Sequence, residues 1–354
     1  MTLEEEKGAA AAVRRAARIA RVRVAPWLGL LRRLWTDERA FFVALTLFNL
    51  YLARNTFRPG IWADNDSVCH YAYLRHLVDE FYPATGTFFG WTPKYDLGAP
   101  FLVYNTPPGI YVAAAILSKV LHVSPLAALK LEVVAAYLSV PLLGAALART
   151  FEDDPRDLPK FAALALSLFS SELFGLEFYF KNGMLNPAVG VPLAMTTLLC
   201  LRYAQRTPGP RAIRWIAAGA FGFAATVFVH LLTAYMLALS LGCFAFASGF
   251  RRFGRSVVQV GAMAGLGAGL VAFWLIPSLP FAAKEDAAYT WIRRPLDTLA
   301  NFFDGSLLSS YFVGFYPHFF TFSAVGMVAT ICAAVGIGCV AIRRNAAVVT
   351  CAAT

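Results

Sequence analysis

The chain has 354 residues, 58% of them hydrophobic and 15% charged, with a mean hydropathy of +0.59. Soluble domains carry roughly a quarter charged residues; here the shortfall is gathered in separate stretches approaching the ~20 apolar residues of a bilayer crossing, which argues against a soluble core. The net charge of +10 does not indicate nucleic acid: the basic residues edge the apolar stretches, in "VRRAARIARVR", "LRR", "QRTPGPRAIR", "RRFGR" and "IRR", as cytoplasmic anchors facing anionic headgroups do.

In chain order, residues 1–39 form a basic cytoplasmic N-terminus, and 40–57 is the first span. No small-residue cleavage site follows closely, so the segment reads as an uncleaved signal-anchor. Further candidate spans are 107–122, 126–148, 159–176, 188–204, 213–229, 231–249, 256–276 and 318–342. The expectation is an all-α, polytopic bundle of eight to nine membrane segments over 40–342, with a tail at 343–354. Both the N-terminus and "QRTPGPRAIR" should be cytoplasmic, yet five apolar stretches lie between them. One must fail to cross, and 107–122 is the choice because it is short, begins "PPG" and contains Lys119. "RTFEDDPRD" is then inside, "KNGMLN" outside, and His230 at an outer turn. Two long outer regions follow, 58–106 and 277–317.

The first outer region opens with "WADNDSVCHYAYLRHL", residues 62–77. On a helix, Asp66 and His70 share a face, with Tyr73 one turn further on. Asp66, preceded by Asp64 and Asn65, is also a natural N-cap. Capping does not account for Asp64, Asp66 and His70 together, whereas a carboxylate and an imidazole suit base chemistry or metal ligation. His76 lies farther round and reads as an interfacial contact. Next comes "GWTPKYDLGAPFLVYNTPPGIY", where Trp91, Tyr95, Phe101 and Tyr104 alternate with prolines. It fits either an interfacial loop or the wall of a sugar-binding cleft.

Within 126–148, Glu132 would be costly facing lipid and is expected to face the bundle, with Lys130 snorkelling or pairing. In the second outer region, Lys284, Arg293 and Arg294 of "KEDAAYTWIRRPLD" suit a phosphate clamp or plain headgroup contact. Magnesium or manganese prefers oxygen ligands, and Asp64 and Asp66 are the acids close in sequence that could hold one. The six cysteines show no CxxC or zinc spacing, so neither a disulfide nor a cysteine metal site is predicted.

The order of signal-anchor, "DNDSVCH" and "WTPKYDLGAPFLVYNTPPGIYVAAAILSKV", then "KNGMLNPAVGVPLA", "VFVHLLTAYMLAL" and "AFWLIPSLPF", resembles the GT-C superfamily of membrane glycosyltransferases. The nearest branch is the bacterial membrane proteins labelled as related to 6-pyruvoyl-tetrahydropterin synthase, with their YfhO-like relatives. The resemblance covers most of residues 40–285 through short, degenerate motifs whose strength is their order. It implies a multi-pass protein of the bacterial inner membrane, a polyprenyl-phosphate sugar donor and an acceptor on the outer face. Carried over, it implies Asp66 as catalytic base or metal holder, with Asp64 as its helper and His70 in the same site. His230, Asn182, Trp91 and Tyr104 then line the substrate site, with Lys284, Arg293 and Arg294 of the second outer region read from their own chemistry as substrate-binding. Such proteins usually continue through more spans, so the chain reads as a truncated or minimal module. Two other classes fit the same residues: a transporter or flippase of a lipid-linked precursor, and a non-catalytic membrane scaffold.

Overall fold

The computed structural model describes residues 36–61, 67–93, 99–103, 106–150, 157–172, 185–247 and 250–282; Asp64, Asp66, Tyr104, Asn182, Lys284, Arg293, Arg294 and the expected span 318–342 lie outside them. Residues 1–51 and 52–354 form two units. The first contains nearly all of helix α1, Glu38–Leu52. Its start is fixed by Asp37, whose Oδ1 accepts the backbone N–H groups of Arg39 and Ala40, the usual role of an aspartate N-cap. A 3₁₀ turn, Ala53–Phe57, extends α1, making a 20-residue apolar stretch, Glu38–Phe57.

The second unit is mostly helical. Helix α2, Ser67–His76, runs through a π turn at Leu77–Phe81 into α3, Tyr82–Thr85. Gly86, at φ +69°, stops it, a left-handed conformation that glycine adopts at little cost. A hairpin follows, with β1 (Gly90–Thr92) antiparallel to β2 (Ala99–Phe101) and Gly90 opposite Phe101. Then come α4 (Gly109–Leu121), α5 (Pro125–Ala148), α6 (Leu158–Glu172), α7 (Leu185–Arg206), α8 (Arg211–Val229), α9 (Leu231–Ala247) and α10 (Phe250–Ala282). Five helices are long and apolar enough to cross a membrane: α1 with its 3₁₀ extension, α5, α7, α8 and α10. Helices α4, α6 and α9 are apolar but shorter.

At 13 residues, α4 is about 20 Å long, short of the ~30 Å hydrocarbon core. His122 (φ 53°) caps its end, and α5 starts three residues later. There Ser124 Oγ accepts the N–H of Ala127, and Pro125 occupies the first turn, a position where its missing N–H costs nothing. Helix α10 continues through Pro277 to Ala282, although the sequence placed the start of an outer loop at that proline. Pro277 leaves the Phe273 carbonyl without a helical donor, and one residue on the Ser278 hydroxyl bonds the Trp274 carbonyl at 2.7 Å.

Close approaches at small residues give the relative directions. Gly190 packs on His230 and Thr233, Gly222 on Thr197, and Gly219 on Cys200, so α7 and α8 are antiparallel. Gly219 also meets Met263, Gly267 meets Ala220 and Phe223, and Phe228 meets Trp274, so α8 and α10 run parallel. One end of the bundle therefore collects Asn186, Val229, His230 and Trp274. The opposite end carries Arg149, Arg202, Arg206, Arg211, Arg214 and Arg255. Arg202 and Arg255 there donate to the carbonyls of Thr150 and Thr207 at 2.9 and 3.0 Å.

A Cβ on Gly267 would lie 2.8 Å from the Ala220 carbonyl oxygen, whereas Gly265 faces open space. Gly267→Ala is expected to destabilise the bundle by about 1–3 kcal/mol, the usual cost of overpacking. Gly265→Ala should leave the thermal midpoint in detergent unchanged or slightly raised. Equal midpoints for both variants would show that α8 and α10 do not meet at Gly267.

Candidate functional site

The described polar and aromatic side chains between α2 and α4 gather over the end of the bundle that holds His230. Helix α2 and the hairpin share a core of His76, Phe81 and Phe101, whose ring centroids lie 4.9 Å (His76–Phe101) and 4.9 Å (Phe81–Phe101) apart. His76 is buried. Its Nδ1 lies 3.0 Å from Glu80 Oε2 and its Nε2 3.0 Å from Thr92 Oγ1, so one imidazole ties α2 to β1. The interfacial contact expected for His76 is replaced by this link. Residue 76 projects toward the hairpin, and a buried polar group is retained only where it is hydrogen-bonded.

Six residues earlier on α2, His70 Nδ1 bonds the hydroxyl of Tyr111 at 2.5 Å. Tyr73 meets the same ring edge-on, with centroids 6.0 Å apart, so the expected shared face of His70 and Tyr73 is used against α4. Tyr111 is fully buried in the first turn of that helix. Gly109, in the same turn, approaches α8 so closely that a Cβ would lie 2.6 Å from the Phe228 carbonyl oxygen. The start of α4 thus bridges His70 on one side and the end of α8 on the other.

At that end, His230 is extended (φ −159°, ψ 109°) between α8 and α9. Its own N–H closes α8 on the Thr226 carbonyl, and its carbonyl receives the N–H of Ala234 to open α9. The Thr233 backbone N–H donates to His230 Nδ1 at 3.3 Å, and the Thr233 hydroxyl lies 2.7 Å from the same nitrogen. An imidazole therefore serves as the N-cap of α9, doing what a serine or aspartate oxygen usually does. Asn186 Nδ2 donates to the Val229 carbonyl at 3.1 Å.

The hairpin is held to α10 by Trp274, fully buried, whose indole N–H donates to the Leu102 carbonyl at 3.0 Å. Phe88 packs on Phe228 and Phe273. Near the start of α5, the Lys130 ammonium donates to the carbonyls of Arg58 and Gly60 at 2.7 Å each, so it is bonded rather than snorkelling. Glu132 faces inward as expected, and its Oε2 is buried with no partner among the described residues.

Of the site residues inferred from sequence, His70 and His230 are brought to the two sides of the α4 start. Trp91 is 60% exposed on β1, clear of the aromatic core and open to a ligand or headgroup. Phe101 is core, not cleft wall. Among the described residues no three His, Cys, Asp or Glu side chains cluster as a metal site. Tyr111, Asn186 and Thr233 were not anticipated. The Asn186–Pro187 pair inside "KNGMLNPAVG" was the available signal for Asn186, a polar amide at the very start of an apolar helix.

Trp274→Phe keeps the ring in the core but leaves the Leu102 carbonyl unpaired, at a cost of about 1–3 kcal/mol. Amide exchange across residues 99–103 should rise severalfold, with the helices unchanged. Unaltered exchange would show that the indole bond does not hold the hairpin.

No protein-family model, curated protein or solved structure matches the chain, so the chemistry of this end of the bundle is argued from its own residues.

Proposed function

We propose that the protein is an integral membrane glycosyltransferase that moves a sugar from a polyprenyl-phosphate carrier to a hydroxyl acceptor at the outer face of the bacterial inner membrane. The observation that carries this reading is the bridge made by α4. The helix that directly follows Asp66 sets His70 on Tyr111, and the same turn of α4 abuts the His230 break through Gly109. The helix that follows the acids in sequence and the break in the bundle thereby share one neighbourhood. The gathering of arginines at the opposite end of the bundle supports a cytoplasmic placement of that end and an outward-facing loop end under the positive-inside rule.

In the proposed reaction the acceptor oxygen attacks the anomeric carbon as the bond from that carbon to the phosphate oxygen breaks. The bonding pair leaves with the phosphate, and the acceptor proton passes to the Asp66 carboxylate. Asp64 helps hold that carboxylate, and His70 orients the acceptor. Lys284, Arg293 and Arg294 balance the charge on the departing phosphate, as guanidinium groups do bidentately. Trp91, Tyr104 and Asn182 complete the sugar-facing lining.

A transporter or flippase is the second reading. It is favoured by the unpartnered Glu132 oxygen inside α5 and by the helix break at His230, since ionisable groups and interrupted helices mark substrate paths in transporters.

Asp66→Asn in isolated membranes should reduce sugar transfer from a radiolabelled polyprenyl-phosphate sugar by at least about 100-fold, the low end for a lost general base, at an unchanged protein level. Full transfer by the variant would remove Asp66 from the role. Carrier translocation without any glycosylated product would favour the flippase. Lipid-intermediate and glycan profiles of a deletion strain would name the sugar.

A further inference from the structure

The geometry points to a hydroxyl-recognition subsite at the His230 break, formed by Asn186 and His230, that reads one hydroxyl of the transferred sugar. This deepens the glycosyltransferase reading above and rests on it.

The break leaves two groups of opposite sense on the elements that flank it. In an uninterrupted helix the Val229 carbonyl would accept the Thr233 N–H. That N–H is instead turned to His230 Nδ1, and the carbonyl is met by Asn186 Nδ2. Asn186 is 7% exposed, yet its Oδ1 has no hydrogen-bond partner among the described residues. A buried amide oxygen without a donor costs about 1–3 kcal/mol, and such groups are rare enough in native proteins to need an explanation. Across the break, Nδ1 of His230 accepts the Thr233 N–H, which puts the ring proton on Nε2. That N–H makes no bond among the described residues. One turn along α7 from Asn186, Gly190 lies against His230, with a Cβ there reaching 3.3 Å from the His230 Cβ. The amide and the imidazole therefore flank the same interruption.

An unused acceptor and an unused donor on the two elements that flank one break select their ligand by chemistry. A phosphate or carboxylate has no proton for Asn186 Oδ1, and an ammonium has no lone pair for His230 Nε2–H. A neutral hydroxyl supplies both, donating to the amide and accepting from the imidazole. Neither protein group is charged, so the subsite adds selectivity among sugars and leaves phosphate binding to the arginines. Non-helical backbone at membrane depth is tolerated where it is buried in protein or lines a cavity, and a break serving a ligand meets that condition.

The test uses the full chain in lipid nanodiscs, titrated calorimetrically with farnesyl phosphate and its mannosyl, glucosyl, galactosyl and arabinosyl esters. The monodeoxy analogues of the tightest ester follow. Removing one particular hydroxyl is expected to weaken binding about 10- to 100-fold, because a site built to bond that hydroxyl leaves its own polar groups unpaired. Asn186→Leu and His230→Asn should each weaken the parent ester by a similar factor and abolish discrimination against that deoxy analogue. Farnesyl phosphate itself should bind all three proteins equally. His230→Asn is the variant that preserves folding, since asparagine caps a helix well while the imidazole N–H is gone. If a sugar ester binds but both variants keep its discrimination, or if no single hydroxyl matters, the subsite is refuted and the glycosyltransferase reading stands. If no sugar ester binds better than farnesyl phosphate, both are refuted.

Discussion

Peptide groups that leave a helix inside a bilayer have no water to turn to, and each unmet one costs several kcal/mol. In this protein the polar side chains of the bundle are spent largely on that problem. Asn186 takes the Val229 carbonyl, Trp274 that of Leu102, and Lys130 those of Arg58 and Gly60. At the other end Arg202, Arg255 and Gln259 take Thr150, Thr207 and Ala204. Helix ends and loops are thus pinned by long-range donors, and the loop that sits on the bundle is positioned by the same bonds that make its burial tolerable.

Glycine does the complementary work. Where α4 meets α8, α7 meets α8, and α8 meets α10, a missing Cβ lets backbones approach, the packing mode that replaces hydrophobic driving force in lipid. Gly109 matters most for function. Its closeness to Phe228 sets the distance between Tyr111, which holds His70, and His230.

The helices were legible because membrane spans announce themselves by length and apolarity. Residues 126–148 and 213–229 fall within two residues of α5 and α8 at every boundary. Parity asked that one segment not cross, its own length and PPG start singled out 107–122, and the helix there, α4, has 13 residues. The long-range bonds were not legible, because a carbonyl acceptor has no sequence identity: nothing in "FWLIP" says that Trp274 will find Leu102. His76 was misplaced for a related reason, since its partners Thr92 and Phe101 come from a hairpin with no hydrophobic alternation to announce it. At the site, His70 and His230 could be picked as unusual ionisable residues beside apolar runs. Asn186 could not, because an amide at a helix start reads as ordinary until its oxygen is found without a partner among the described residues.

Helix α10 offers a mechanical consequence. Its apolar part, Phe253–Leu279, is 27 residues, about 40 Å, against a hydrocarbon core of ~30 Å. A helix longer than its bilayer accommodates by tilting, or by thickening the lipid around it. Trp274 lies near the far end of this lever and is bonded to the hairpin. A bilayer whose thickness changed the tilt of α10 would move Trp274, and with it the Leu102 carbonyl that the indole holds.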